Sequence, residues 1–198
     1  MTNFLSNNPN LYALERQMKQ PPGYRPRGHG LYLPGIDLKG RGNYVEIVDC
    51  VVSRMQLEQL NERIAEIYLV DDNVKLFRDD RHRRIFGTML MTKYKGILFE
   101  CPKYSAAVFL LTADEKLWNV VRENVMDTGI YFDRVKLGRV TLEEYILFHA
   151  AKDVYYGTKH IRLSELADRE LIADEILKLI VNALVIEKCG VEIVKREV

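Results

Sequence analysis

What this chain lacks excludes most of what a sequence can announce about itself. It has three cysteines, Cys50, Cys101 and Cys189, odd in number, widely spaced and without a Cys-x-x-Cys. Neither a disulfide framework nor a structural zinc site is expected from that pattern. Cys50 and Cys101 lie in apolar runs and read as small buried hydrophobes in a reducing compartment. No apolar run reaches the length of a membrane span. Met1–Asn10 is polar and lacks the apolar core of a secretory signal. The expectation is a cytoplasmic protein without membrane contact. Glycines are frequent between Gly23 and Gly42, but Gly-His-Gly and Gly-Arg-Gly are followed by a strand-like run rather than a helix, so no nucleotide-binding fingerprint is present. Gly-x-Ser-x-Gly, His-Glu-x-x-His and EF-hand spacings are missing as well. No cofactor and no metal is expected, and no internal repeat is evident.

What is present is clustered positive charge. The 198 residues carry a formal net charge of only +1, yet the charge is segmented. Met1–Asn43 holds six Lys/Arg against two Asp/Glu, net +4, and Tyr44–Val74 holds two against seven, net −5. Lys75–Lys103 then holds eight against three, net +5, and Tyr104–Val198 thirteen against sixteen, net −3. Two basic stretches in a near-neutral protein point to a polyanion or an acidic surface as partner.

Length and composition allow one good core. Asn8-Pro9 predicts a helix start that presents Leu11, Leu14 and Met18 and ends at Pro21-Pro22-Gly23. Pro22–Gly42 reads as a basic Pro/Gly-rich arm. Tyr44–Val52, rich in Val and Ile, reads as a strand. Ser53 and Gln56 suggest a capping box before a helix carrying Leu57, Leu60, Ile64 and Ile67. Ile67–Val70 and Val74–Phe77 around the turn Asp71–Asn73, then Ile85–Tyr94, Ile97–Glu100 and Ala106–Leu111, read as a strand meander. Thr112 with Glu115 and Thr141 with Glu144 predict two more capped helices, the second over Leu142–Tyr156 and closed by Gly157. Between them, Ile130–Leu137 reads as a strand. A short helix near Leu163–Asp168, a longer one over Ala173–Lys188 closed by Gly190, and a strand over Val191–Lys195 complete the chain. The expected fold is α+β: a central, mostly antiparallel sheet with flanking helices. Its expected parts are the helix and arm of 1–43, a sheet-rich core over 44–138 and a helical part over 139–198, packed as one unit.

Four constellations could carry chemistry. The first is Arg78-Asp79-Asp80-Arg81-His82-Arg83-Arg84, expected as a loop between strands, with Lys93 and Lys95 extending the basic stretch. Guanidinium groups suit bidentate phosphate contacts that give affinity without base preference; alternatively Asp79 and Asp80 neutralise two of the arginines. The second is the arm, with Arg25, Arg27, His29, Lys39 and Arg41 interleaved with Tyr24 and Tyr32, suited to a nucleic-acid groove or a partner. The third is Arg162–Ala167, which resembles the first helix of a helix-turn-helix, with the last strand as a wing. Its recognition helix would begin Ala173-Asp174-Glu175, acidic where base edges need donors, and is apolar enough to be core or a dimer interface. The fourth is His149 with Lys152 and Asp153, where Asp153 at i+4 could orient His149 as a base.

The function expected from these residues is non-enzymatic: a regulatory or inhibitory protein docking on nucleic acid, or on a nucleoprotein complex, through basic surfaces. An inhibitor carried by a phage or mobile element, of anti-CRISPR type, fits that profile. Two alternatives follow. One is a metal-dependent nuclease built on Asp49, Asp79, Asp80, His82, Glu100 or Lys103; the other is a homodimer formed through the apolar helix near Ile176–Val185.

Overall fold

The computed structural model describes residues 44–53, 55, 57–69 and 76–196. The expected N-terminal helix, the basic arm and the turn at Asp71–Asn73 lie outside the described residues.

The fold is mostly helical, which overturns the expected central sheet. In chain order the helices are α1 (Tyr44–Val52), α2 (Glu58–Leu69), α3 (Asp80–Leu90), α4 (Lys95–Glu100), α5 (Pro102–Thr112) and α6 (Glu115–Val121), then α7 (Leu142–Tyr156), α8 (Leu163–Ala167) and α9 (Asp174–Cys189). Between α6 and α7, β1 (Val125–Met126) pairs antiparallel with β2 (Gly129–Ile130) in a two-stranded ribbon. Short 3-10 turns occupy Arg122–Asn124, Phe132–Arg134 and Val191–Arg196.

The centre is α5. Pro102 starts it at a position where the missing N–H costs nothing, and every side chain from Tyr104 to Thr112 is buried. It packs against α7 on one side and α9 on another, with α3, α4 and α6 also touching it. A helix covered all round has no polar face, so its sequence shows no helical period. Ala106–Leu111 therefore read as a buried strand.

The other strand expectations fail for related reasons. In α1 the buried residues are Ile47, Val48, Val51 and Val52, one stripe of a helix packed on α9 and α2. The modest helical cost of β-branched residues is outweighed by burying that stripe. Ile85–Tyr94 lies mostly in α3, whose buried His82, Phe86, Met89 and Leu90 also recur at helical spacing. Ile97–Glu100 is α4, Ile67 falls inside α2, and Ile130–Leu137 is largely a 3-10 turn and loop. Val191–Lys195 belongs to a 3-10 turn, so the wing of the winged-helix arrangement is not formed.

The caps were partly legible. Thr141 and Glu144 form a reciprocal box: the Glu144 amide donates to Thr141 Oγ1 at 3.2 Å and the Thr141 amide to Glu144 Oε2 at 2.7 Å. Gly157 closes α7 at φ 70° and Gly190 follows α9 at φ 79°, both in the region that favours glycine. By contrast, Thr112 is the last residue of α5, and Asp114 caps α6 by accepting from the Leu117 amide at 2.9 Å.

Two buried polar knots tie the helices. Asn182 of α9 accepts from Tyr44 at 2.7 Å and Tyr68 at 2.6 Å, and its amide donates to the Leu76 carbonyl at 2.9 Å. Arg63 of α2 is buried, and its guanidinium donates to the carbonyls of Leu166 (2.7 Å) and Ile172 and to Asp174 (2.8 Å). A buried guanidinium is tolerated because its donors find acceptors. Replacing it with methionine, Arg63→Met, leaves two carbonyls without their donor. Urea unfolding should show a loss of about 3 kcal/mol; a loss below about 0.5 kcal/mol, typical of a surface change, would show that the knot carries no stability.

Candidate nucleic-acid interface

The arginine-rich run is the start of a helix, not a loop between strands. Asp79 is the N-cap of α3, in extended conformation, and accepts from the His82 amide at 2.6 Å. Asp80 occupies the first turn, where a carboxylate complements the helix dipole. Neither aspartate forms the expected neutralising loop pair. Arg78 instead reaches away to Glu143 Oε2 at 2.9 Å, with Asp114 at 3.9 Å.

Helical geometry then divides the run. Arg81 donates to the Thr112 carbonyl at 3.1 Å. His82 is fully buried among Phe77, Phe86 and Phe109, its ring centroid 4.5 Å from that of Phe109 and 5.1 Å from that of Phe77. The Arg78 amide donates to His82 Nδ1 at 3.2 Å, which leaves the proton on Nε2 to donate to the Phe109 carbonyl at 2.8 Å. Burial pushes the imidazole down to about 3, against the upward pull of the Phe109 hydrogen bond and the Asp79 charge. The ring is therefore neutral at ordinary pH, with both nitrogens engaged, and out of reach of a phosphate.

Arg83 and Arg84 are exposed. Arg84, Thr88 and Met91 follow at i, i+4 and i+7, hence on one side of the helix. Met91 is 83% exposed. In the corner between α3 and α4, Lys93 and Lys95 are also exposed, and the Lys93 ammonium lies 5.2 Å from the centroid of the Tyr94 ring. From Arg81 to Phe99 the sequence contains no acidic residue. The segment thus carries exposed cations of one sign on either side of an exposed methionine. Of the site residues expected from sequence, Arg83, Arg84, Lys93 and Lys95 are exposed, the first two near the start of α3 and the lysines beyond its end; Arg78 is tied to Glu143, Arg81 donates to the Thr112 carbonyl and His82 is buried. Arg25, Arg27 and Arg41 lie outside the described residues.

The carboxylates required for nuclease chemistry are not gathered. Asp79 is a cap, Asp49 is exposed on α1, and Glu100 is exposed at the end of α4. Among the described residues no group of three or more His, Cys, Asp or Glu side chains is placed to hold a metal ion. The three cysteines are free and half-buried. Burial, reinforced by neighbouring Cys50, pushes the Cys189 thiol up to about 11, so it carries little thiolate.

At the far end of α7 the expected His149–Asp153 pair is replaced by another. Asp153 has a buried carboxylate that accepts from His160 Nδ1 at 2.6 Å, from the amides of His160 and Ile161 and from Thr158 Oγ1. The His149 ring instead lies between those of Tyr145 (centroids 4.2 Å apart) and His160 (4.8 Å), in tilted contacts. Burial, followed by the His160 charge, holds its imidazole below the ordinary value, with Asp153 opposing. The signal for the true pairing was Gly157: a left-handed residue there turns the chain back so that residues 158–161 fold over Asp153.

Comparison with protein-family models, with curated proteins and with solved structures gave no match in any of the three. No helix among the described residues is long and apolar enough to cross a membrane.

The His82 geometry sets a pH dependence. Its folded value is depressed, so the stability gained by keeping the ring neutral is complete above its unfolded value near 6.5 and is lost as pH falls toward about 3. Between pH 6.5 and 5, where most carboxylates remain ionised, unfolding free energy should fall by up to about 1.4 kcal/mol per pH unit. His82→Gln should be less stable at pH 7 but flatter across that window. An unchanged slope in the variant would assign the dependence to other groups.

Proposed function

We propose that this is a non-enzymatic cytoplasmic protein that docks on nucleic-acid phosphates through the α3–α4 corner. Arg83, Arg84, Lys93 and Lys95 make the contacts, with Met91 seated among them. The observation that carries this reading is the segregation of charge. Around the start of α3, Arg78 and Arg81 are engaged by the protein's own acceptors while Arg83 and Arg84 remain exposed, at the head of a stretch, 81–99, that contains no acidic residue. Guanidinium and ammonium groups displayed this way contact phosphate without reading base edges, so the reading calls for a regulator or inhibitor of nucleoprotein complexes rather than a sequence-specific factor. The basic arm, with Arg25, Arg27 and Arg41, adds contacts of the same kind.

The dimer alternative loses its motive, because the apolar stripe of α9 from Ile176 to Val185 is buried within this chain.

The test is binding of the full chain to labelled single- and double-stranded DNA and RNA across a salt series. The variant Arg83→Ala/Arg84→Ala/Lys93→Ala/Lys95→Ala should bind more weakly. Its slope of log K against log salt should flatten by about 0.7–0.9 for each phosphate that is no longer neutralised. Arg81→Ala, which removes an inward-facing arginine, should leave the slope unchanged. Equal slopes for the wild type and the fourfold variant would remove the corner from consideration.

A further inference from the structure

A second surface runs along α7. Among the described residues seven large apolar side chains are exposed, and four of them lie on or beside this helix: Leu142 (53%), Tyr145 (49%), Tyr156 (47%) and Leu171 (38%). Leu142, Tyr145, His149, Lys152 and Tyr156 are spaced 3, 4, 3 and 4 residues apart. At 3.6 residues per turn they fall within an arc of about 80°, on a line about 21 Å long. The outward face of a surface helix is ordinarily charged; here Lys152 is the only charged member of the line, and the His149 ring lies against those of Tyr145 and His160 in tilted contacts.

At its N-terminal end this stripe opens into a groove of about 760 Å³ between the starts of α6, α7 and α9. Leu142, Leu171 and Ile176 are among the residues lining it. Five carboxylates line it as well, against Lys116 and Arg169, and Arg169 is itself engaged by Glu66. Asp114 and Glu144 serve as helix caps. Glu115 and Glu170, however, form no ion pair among the described residues, and Glu143, paired with Arg78, is still half exposed. The lining thus combines apolar Leu142, Leu171 and Ile176 with an excess of carboxylates, five against Lys116 and Arg169.

We propose that the α7 stripe and this groove dock an amphipathic helix of a partner protein. Its apolar anchors, at i, i+3 and i+7, lie along Leu142, Tyr145 and Leu171, and basic residues at one end face Glu115, Glu143 and Glu170. Helix-in-groove recognition requires such a line of anchors. The sign of the lining selects basic over acidic helices. None of the groove's lining residues belongs to the proposed phosphate contacts, so on that reading the protein joins a protein partner to a polyanion.

The test uses the full-length chain and a labelled model peptide of about 15 residues, the length that covers the stripe. The peptide carries Leu at i, i+3 and i+7 with Lys flanks; a counterpart carries Glu flanks. Saturable binding of the Lys-flanked peptide is expected, with amide shifts confined to α7, residues 114–116 and residues 169–176. The variant Leu142→Ser/Tyr145→Ala/Leu171→Ser should bind about tenfold more weakly. All three positions are exposed, so its melting temperature should hold, and its nucleic-acid affinity should also hold. Met91→Ala should bind the peptide normally. Equal binding of the Glu-flanked peptide, shifts mapping elsewhere, or an unchanged triple variant would each overturn the proposal. Two further results would also overturn it by giving the surface another occupant: self-association in sedimentation that the triple variant abolishes, or displacement of the probe by a peptide of this chain's own residues 8–20.

Discussion

The central constraint on this fold is the need to cover α5, with α1, α2 and α8 packed beyond it on α9 and on one another. Its nine consecutive buried residues, Tyr104–Thr112, leave no side of the helix for water. α7 and α9 cover most of it, and α3, α4 and α6 close the remainder. Burial on this scale supplies the main favourable term in folding, and it dictates the form of the polar contacts. Ser105 must send its hydroxyl to the Leu98 carbonyl and Thr112 to that of Val108, because no solvent is at hand. His82 is the most demanding case. An imidazole is admitted to the core because the Phe109 carbonyl on one nitrogen and the Arg78 amide on the other satisfy it in its neutral form.

The same constraint explains what could and could not be read from the sequence. Short-range signals survived: the Thr141–Glu144 box and the closures at Gly157 and Gly190 rest on local hydrogen bonding and local backbone geometry, and they lie where expected. Fold class did not survive. Val- and Ile-rich Tyr44–Val52 and the apolar Ala106–Leu111 have the composition of strands, and composition outweighed a weak or absent period. For α1 the information was present, since residues 47, 48, 51 and 52 form a helical stripe. For α5 it was not, since a helix buried on every side shows no stripe. Only knowledge of its neighbours distinguishes it from a central strand.

The basic cluster was legible as composition and illegible as a surface. Seven residues with four arginines suggest a uniform patch, but a helix turns by about 100° at each step. Once Asp79 fixes the start of α3, neighbouring residues of the run meet different surroundings. His82 goes to the core, Arg81 to the end of α5, and Arg83 and Arg84 to solvent. In the expected loop between strands no such step relates one residue to the next, and the run offers only its composition. The N-cap therefore does more for this surface than the number of arginines.

Arg78 connects the two surfaces. It stands one residue before the cap of α3, yet its guanidinium reaches Glu143 in the first turn of α7, with Asp114 at the start of α6 nearby. It therefore removes one cation from the basic corner and offsets part of the negative charge at the groove. Its backbone is committed as well, because the Arg78 amide is the donor that satisfies His82 Nδ1. One residue thus holds the core imidazole with its main chain and two helix starts with its side chain, which makes it more than an isolated surface ion pair. The charge segmentation of the sequence, +5 over 75–103 and −3 over 104–198, is accordingly not two independent fields. At Arg78 they meet in a contact that reduces the charge of both and ties the segment before α3 to the first turn of α7.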